Sequence, residues 1–149
     1  MAIHVELTVK NATRQRLPLA FFRRVARESL TLLKVSDAAL TIVFVGQQRM
    51  VSLAAKHRGK SSKVSSWGTN VLAFSYRDEH GVVFGDVVLC VPIAAREARE
   101  AGRALRTHLA LLLIHGIVHL AGYRHRSAKE AAQMTSLEEK IARHLNLMK

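Results

Sequence analysis

The sequence predicts an α+β fold: one domain over 1–149, a small mixed β-sheet packed with about five helices. Three observations carry that reading. Segments with polar–apolar alternation or β-branched runs, which suit strands, are interleaved with segments whose apolar residues recur at threes and fours, which suit helices. No repeat, low-complexity tract or linker divides the chain, and 149 residues fit one domain. Hydrophobic residues make up 49% of it, enough for a shared core.

Residues 3–10 alternate, Ile3, Val5, Leu7 and Val9 against His4, Glu6, Thr8 and Lys10, and read as a half-buried strand. Pro18 suits the first turn of a helix, where its missing N–H is tolerated, and Leu19, Phe22, Ala26, Leu30 and Leu33 form the apolar face. Arg23, Arg24 and Arg27 fall on the other side, a solvated face in the simplest reading and an RNA-backbone contact in the alternative. Residues 39–45, ALTIVFV, are β-branched and bounded by Gly46, so they read as a buried strand. A short helix over about 47–55 follows, then a Ser/Lys loop at 59–68 containing Trp67, which either anchors the loop, the preferred reading, or offers its ring to a base. Residues 71–76 and 82–91 flank the polar turn 77–81 as a hairpin, with Gly85-Asp86 marking a candidate bulge. Pro92 opens a helix to about Ala101, and Gly102 stops it. A longer helix covers about 104–121. Ser127 and Glu130 form the S-x-x-E capping signature of a last helix, whose stripe is Ala131, Met134, Leu137, Ile141 and Leu145.

Composition narrows the function. The single cysteine, Cys90, excludes an internal disulfide and fits a reducing cytoplasm; in the run VVLCV it reads as a buried small hydrophobe. No signal-peptide pattern opens the chain. Its most apolar stretch, 109–118, falls well short of the ~20 residues of a membrane span. Twenty-three Lys and Arg against eleven Asp and Glu leave a net charge of +12, a field that attracts polyanions, RNA first among them. A basic surface that merely keeps the protein soluble is the alternative. Aromatics, at 5%, are too few for extensive base stacking, so RNA affinity is expected to come from phosphate contacts and to depend steeply on salt.

The run HGIVHLAGYRH carries the chemistry. His115 and His119 are four apart, which on a helix places them on one face with Cβ atoms roughly 5–6 Å apart. A pair so spaced also arises among core histidines that bond backbone. What favours a metal is His125, six residues on and beyond Gly122, because glycine lets a helix end in a left-handed turn and the chain fold back. Three neutral imidazoles leave one position of a tetrahedral zinc open, the arrangement of catalytic sites. The spacing is that of the metzincin motif HExxHxxGxxH, with Gly116 where the protease has its glutamate base. His108, about 10 Å earlier along the helix, is too far to share the ion and is a groove residue or, more simply, a polar-face one.

The same run, followed by Glu130 and Met134, resembles the signature of the YbeY family of bacterial zinc-dependent endoribonucleases, approximately HGxLHLxGYDH. Thr69-Asn70-Val71-Leu72-Ala73-Phe74 is similar to the family's T-(D/N)-V-L-S-F strand, and Gly85-Asp86-Val87-Val88-Leu89-Cys90 to its G-(D/E)-I-x-(I/L) strand. Arg58, in His57-Arg58-Gly59-Lys60, matches the arginine of its Y-R-G-K segment. The blocks keep the family's order over roughly residues 40 to 145.

The resemblance implies one zinc ion held by His115, His119 and His125, cleavage of single-stranded RNA in rRNA maturation, including 16S rRNA 3′-end processing, and in ribosome quality control, and rRNA and the small ribosomal subunit as partners. It implies catalytic roles for His115 and for Arg58, whose guanidinium would hold the scissile phosphate. Thr69, Asp86 and Arg124 become orienting or substrate-facing candidates. The attacking group is left open between a water activated at the metal and the RNA 2′-hydroxyl, and the metal itself is open too, since imidazole also binds nickel, copper and iron. Arg124 stands where the family usually has aspartate; an aspartate there can accept a proton and an arginine cannot. The Arg58–Thr69 segment is longer than the family's, and His57 replaces a tyrosine. Two rival readings are a non-catalytic rRNA- or ribosome-binding factor with a structural metal, and a metallopeptidase, which Gly116 and the charge oppose. Met134 beneath the metal resembles the metzincin Met-turn but is more economically a core residue.

Overall fold

The computed structural model describes residues 4–56, 70–76, 81–123 and 126–148. The first strand, β1 (His4–Asn11), keeps its alternation, with apolar residues half-buried. Helix α1 (Leu19–Leu32) follows, with Pro18 just outside it at the N-cap; Phe22, Val25, Ala26 and Leu30 are buried on one side. The one buried polar residue of that face, Ser29, donates its hydroxyl to the Val25 carbonyl at 2.7 Å, so no polar group is stranded.

Strand β2 (Asp37–Val45) leads into α2 (Gln47–Lys56), and β3 (Val71–Ser75) and β4 (Val82–Cys90) form the expected hairpin. Helix α3 (Val91–Ala101) has Pro92 in its first turn and stops at Gly102, whose φ of 67° is the left-handed cap. Helix α4 (Leu105–Leu120) and α5 (Ala128–His144) complete the chain. At the start of α5 the Ser127 hydroxyl accepts from the Glu130 N–H at 3.1 Å, as the capping signature requires.

Among the described residues the strands lie in the order β1-β2-β4-β3, with β1, β2 and β4 parallel and β3 antiparallel at the edge. The sheet is therefore mixed. On one face, Leu40, Ile42 and Phe44 of β2 and Val83, Val87 and Leu89 of β4 meet Phe22 of α1, Leu109, Leu113, Ile114 and Ile117 of α4, and Met134 and Ile141 of α5. Each such side chain stabilises the fold by roughly 1.5–3 kcal/mol of transfer free energy. On the opposite face, α2 closes a smaller cluster with Met50 and Ala54 against Leu72, Val88 and Cys90.

Helix α4 is apolar on nearly all sides because it is enclosed: α1, α3, α5, β3 and β4 all pack on it. The candidate bulge at Gly85-Asp86 is not one. Pairing runs Phe74↔Asp86 and Ser75↔Gly85 without an extra residue. Glycine is required there by crowding instead, since a Cβ would stand 2.1 Å from the Phe74 carbonyl oxygen and 3.3 Å from Leu120 of α4. Among the described residues, no helix is long and apolar enough to cross a membrane.

Candidate metal centre

Helix α4 carries His115 and His119 one turn apart, both half-buried near its C-terminal end. Across from them, α5 brings the Glu138 carboxylate to 2.7 Å from His115 Nδ1. A carboxylate accepts only, so Nδ1 carries the hydrogen, and in the neutral ring Nε2 keeps the lone pair a metal needs. The hydrogen bond to Glu138 pushes the His115 pKa up; burial pulls the other way, and the negative charge of Glu138 adds to the rise. A carboxylate behind a metal-ligating imidazole fixes its tautomer and ring orientation and raises its basicity. The donor set present, two imidazoles on one helical face with one oriented from behind, fits a zinc or similar ion.

The chain then leaves α4 as the glycine spacing predicts, with Gly122 at φ 102°. His125 and Arg124, which follow, lie outside the described residues, as do Arg58, Thr69 and Trp67. Among the described residues, accordingly, no group of three metal-ligating side chains is assembled.

Gly116, between the two histidines, faces the sheet. A Cβ on it would lie 2.9 Å from Val87 Cγ1 and 3.5 Å from Val71. The position at which a metzincin places its base is thus filled by the packing of α4 on β4 and β3, and a glutamate has no room there.

Asp86 does not stand beside the imidazoles. Strand alternation turns Val87 towards α4 and Asp86 to the opposite face, where its carboxylate accepts from the Tyr76 hydroxyl. It lines a groove of about 450 Å³ floored by Val43, Val45 and Val88 and edged by Arg49 and Tyr76. Asp86, an orienting or substrate-facing candidate in the sequence, therefore lies on the face of β4 turned away from α4. His108 belongs to a polar network: its Nε2 is 3.0 Å from Glu97 of α3, and the Asn70 amide donates to both oxygens of the same carboxylate at 3.1 and 3.2 Å. Met134, 2% exposed, is a core residue.

Sequence reasoning missed Glu138. A signal was present, since it lies one turn past the buried Met134 and beside Leu137 of the apolar stripe, an unusual place for a carboxylate unless a partner waits opposite. The Tyr76–Asp86 pair was missed too; the register Phe74↔Asp86, which brings Tyr76 near, is a property of the folded hairpin.

The family model described as endoribonuclease YbeY matches residues 6–146. A protein of Aromatoleum aromaticum named endoribonuclease YbeY is 39% identical over 142 residues, covering 95% of this chain and 86% of its own. One of the same name from Burkholderia pseudomallei is 39% identical over 140 residues, covering 93% and 72%. A solution structure of a Thermotoga maritima protein shares the fold, with a TM-score of 0.63 at 20% identity over 94% of this chain and 91% of that one. The match over nearly the whole chain, together with the paired histidines of α4, makes this protein a member of the endoribonuclease YbeY family.

Proposed function

We propose that the protein is a zinc-dependent endoribonuclease that cuts single-stranded RNA in rRNA maturation, including the 3′ end of 16S rRNA, and works in the cytoplasm on the small ribosomal subunit. The observation that carries the metal dependence is the His115–Glu138 contact of 2.7 Å, which presents Nε2 from a helix that also bears His119. The names of the relatives support cleavage of RNA, and the charge of +12 suits a polyanionic substrate.

His115 and His119 would hold the ion with His125 as third ligand. Zinc, when bound, supplies Lewis acidity towards a phosphoryl oxygen and a water molecule. Glu138 keeps the His115 ring in one tautomer and orientation. Arg58 would grip the scissile phosphate through paired N–H donors and offset charge gathering on its oxygens. No carboxylate is available at Gly116, so a protease-type base is excluded and a peptidase reading loses its mechanism.

The test pairs metal analysis with RNA cleavage. The wild type should bind one zinc per chain and cut single-stranded RNA; His119→Ala or chelation should abolish both, and Arg58→Ala should slow cleavage with zinc retained. Cleavage at an undiminished rate by the metal-free protein would overturn the mechanism.

A further inference from the structure

A run of exposed arginines lies away from the histidines. Arg16 is exposed on the connection into α1, and Arg23, Arg24 and Arg27 are exposed across the outward side of that helix. Arg23 is fixed at the β1 edge, where its Nη1 donates to the Leu7 carbonyl at 2.9 Å. Arg106, in the first turn of α4, carries the arc onto a second helix, its guanidinium 4.5 Å above the ring of Phe21 in α1.

Among the described residues, no carboxylate is paired with this arc. The first turns of α1 and α4 contain no acidic residue, and Glu28, the one acid on α1, lies 3.4 Å from His144. Among the described residues, none of these five arginines makes an ion pair with a carboxylate. Like charges at three and four residues apart on one helix repel, and a line of phosphates relieves that repulsion. Guanidinium forks also match phosphate oxygens in shape.

We propose that this arc is a second RNA-backbone contact, and that the substrate is therefore an RNA long or folded enough to reach both it and the histidines. The inference rests on the ribonuclease reading above. Arg106 and His115 are nine residues apart on α4, about 13 Å along its axis and half a turn around it. Helix α1 stands over β1, whereas α4, on the same face, packs on β4 and β3 towards the other edge of the sheet. The arc is too distant to touch the phosphate that is cut, so it acts on binding and not on the chemical step.

Cleavage kinetics of the full chain test this, using an rRNA fragment and a short oligonucleotide too small to leave the histidine face. Arg24→Glu with Arg27→Glu should raise KM for the long RNA by about tenfold or more and flatten its dependence on salt, while kcat and the short-oligonucleotide KM stay at wild-type values. Arg24→Gln with Arg27→Gln should shift the long-RNA KM the same way by less, which separates lost contacts from misfolding. Arg96→Glu with Arg99→Glu on α3 changes net charge equally and should produce no such split between long and short RNA. Unchanged long-RNA KM in both arc variants, or an equal loss from the α3 pair, overturns the proposal. Arc-dependent binding to phosphatidylserine vesicles with unaltered RNA kinetics overturns it in favour of a membrane surface. If the wild type cuts neither RNA, the ribonuclease reading itself falls and this one with it.

Discussion

At the scale of single residues, the candidate centre depends on a contact between side chains 23 positions apart, His115 and Glu138. Glu138→Gln keeps a hydrogen-bonding group but removes the charge behind the imidazole, and should weaken zinc binding by about 10–100-fold as measured by competition with a chelating dye. The two histidines were legible because helix periodicity alone pairs them. Glu138 was not, because nothing local says which residue of α5 will face α4. Gly116 shows the same limit: its identity was read as a missing catalytic base, whereas the fold makes it a contact with Val87. A second residue-level expectation concerns pH. Tyr76 donates to Asp86, and that hydrogen bond first, then burial and the carboxylate charge, push its pKa above the ordinary tyrosine range. The phenol is held in its protonated form, so this contact is intact below the usual midpoint near 10 and is lost as pH rises through the raised one. Asp86→Asn should bring one of the two tyrosine midpoints down in an absorbance titration; two unchanged midpoints would sink that assignment.

Among the elements, strands and helices were legible wherever one period governed. The alternation read over residues 3–10 appears in β1 (His4–Asn11), and Ser127 with Glu130 starts α5 where the capping signature stands. Ser127→Ala should lower stability by about 1 kcal/mol in urea unfolding, the usual loss for a cap that accepts from an N–H. What periodicity did not give is which layer covers which face of a strand. In β4 both faces are covered, by α4 on one and α2 on the other, so Asp86 sat in an apolar run without a visible side. The glycine before it invited the wrong explanation for the same reason: close approach and a bulge leave one sequence mark. Gly85→Ala should be destabilising by at least ~1–3 kcal/mol, because the added methyl meets backbone that cannot rotate away. Retention of wild-type stability would show that the strand can part from Phe74 freely.

For the molecule as a whole, the α+β class and the mixed sheet followed from the interleaving of patterns, but the order β1-β2-β4-β3 did not, since a hairpin partner and a parallel neighbour look alike in sequence. That order sets α1 and its arginines over one edge and the histidines towards the other, a separation invisible in the linear chain. A further property belongs to the whole structure. Cys90 is fully buried where β4 passes into α3, and loss of solvent pushes its thiol pKa up. As the sole sulfhydryl, it makes the protein its own unfolding clock: Ellman's reagent should react only as fast as the native packing opens, and the reaction should quicken with urea in step with global denaturation.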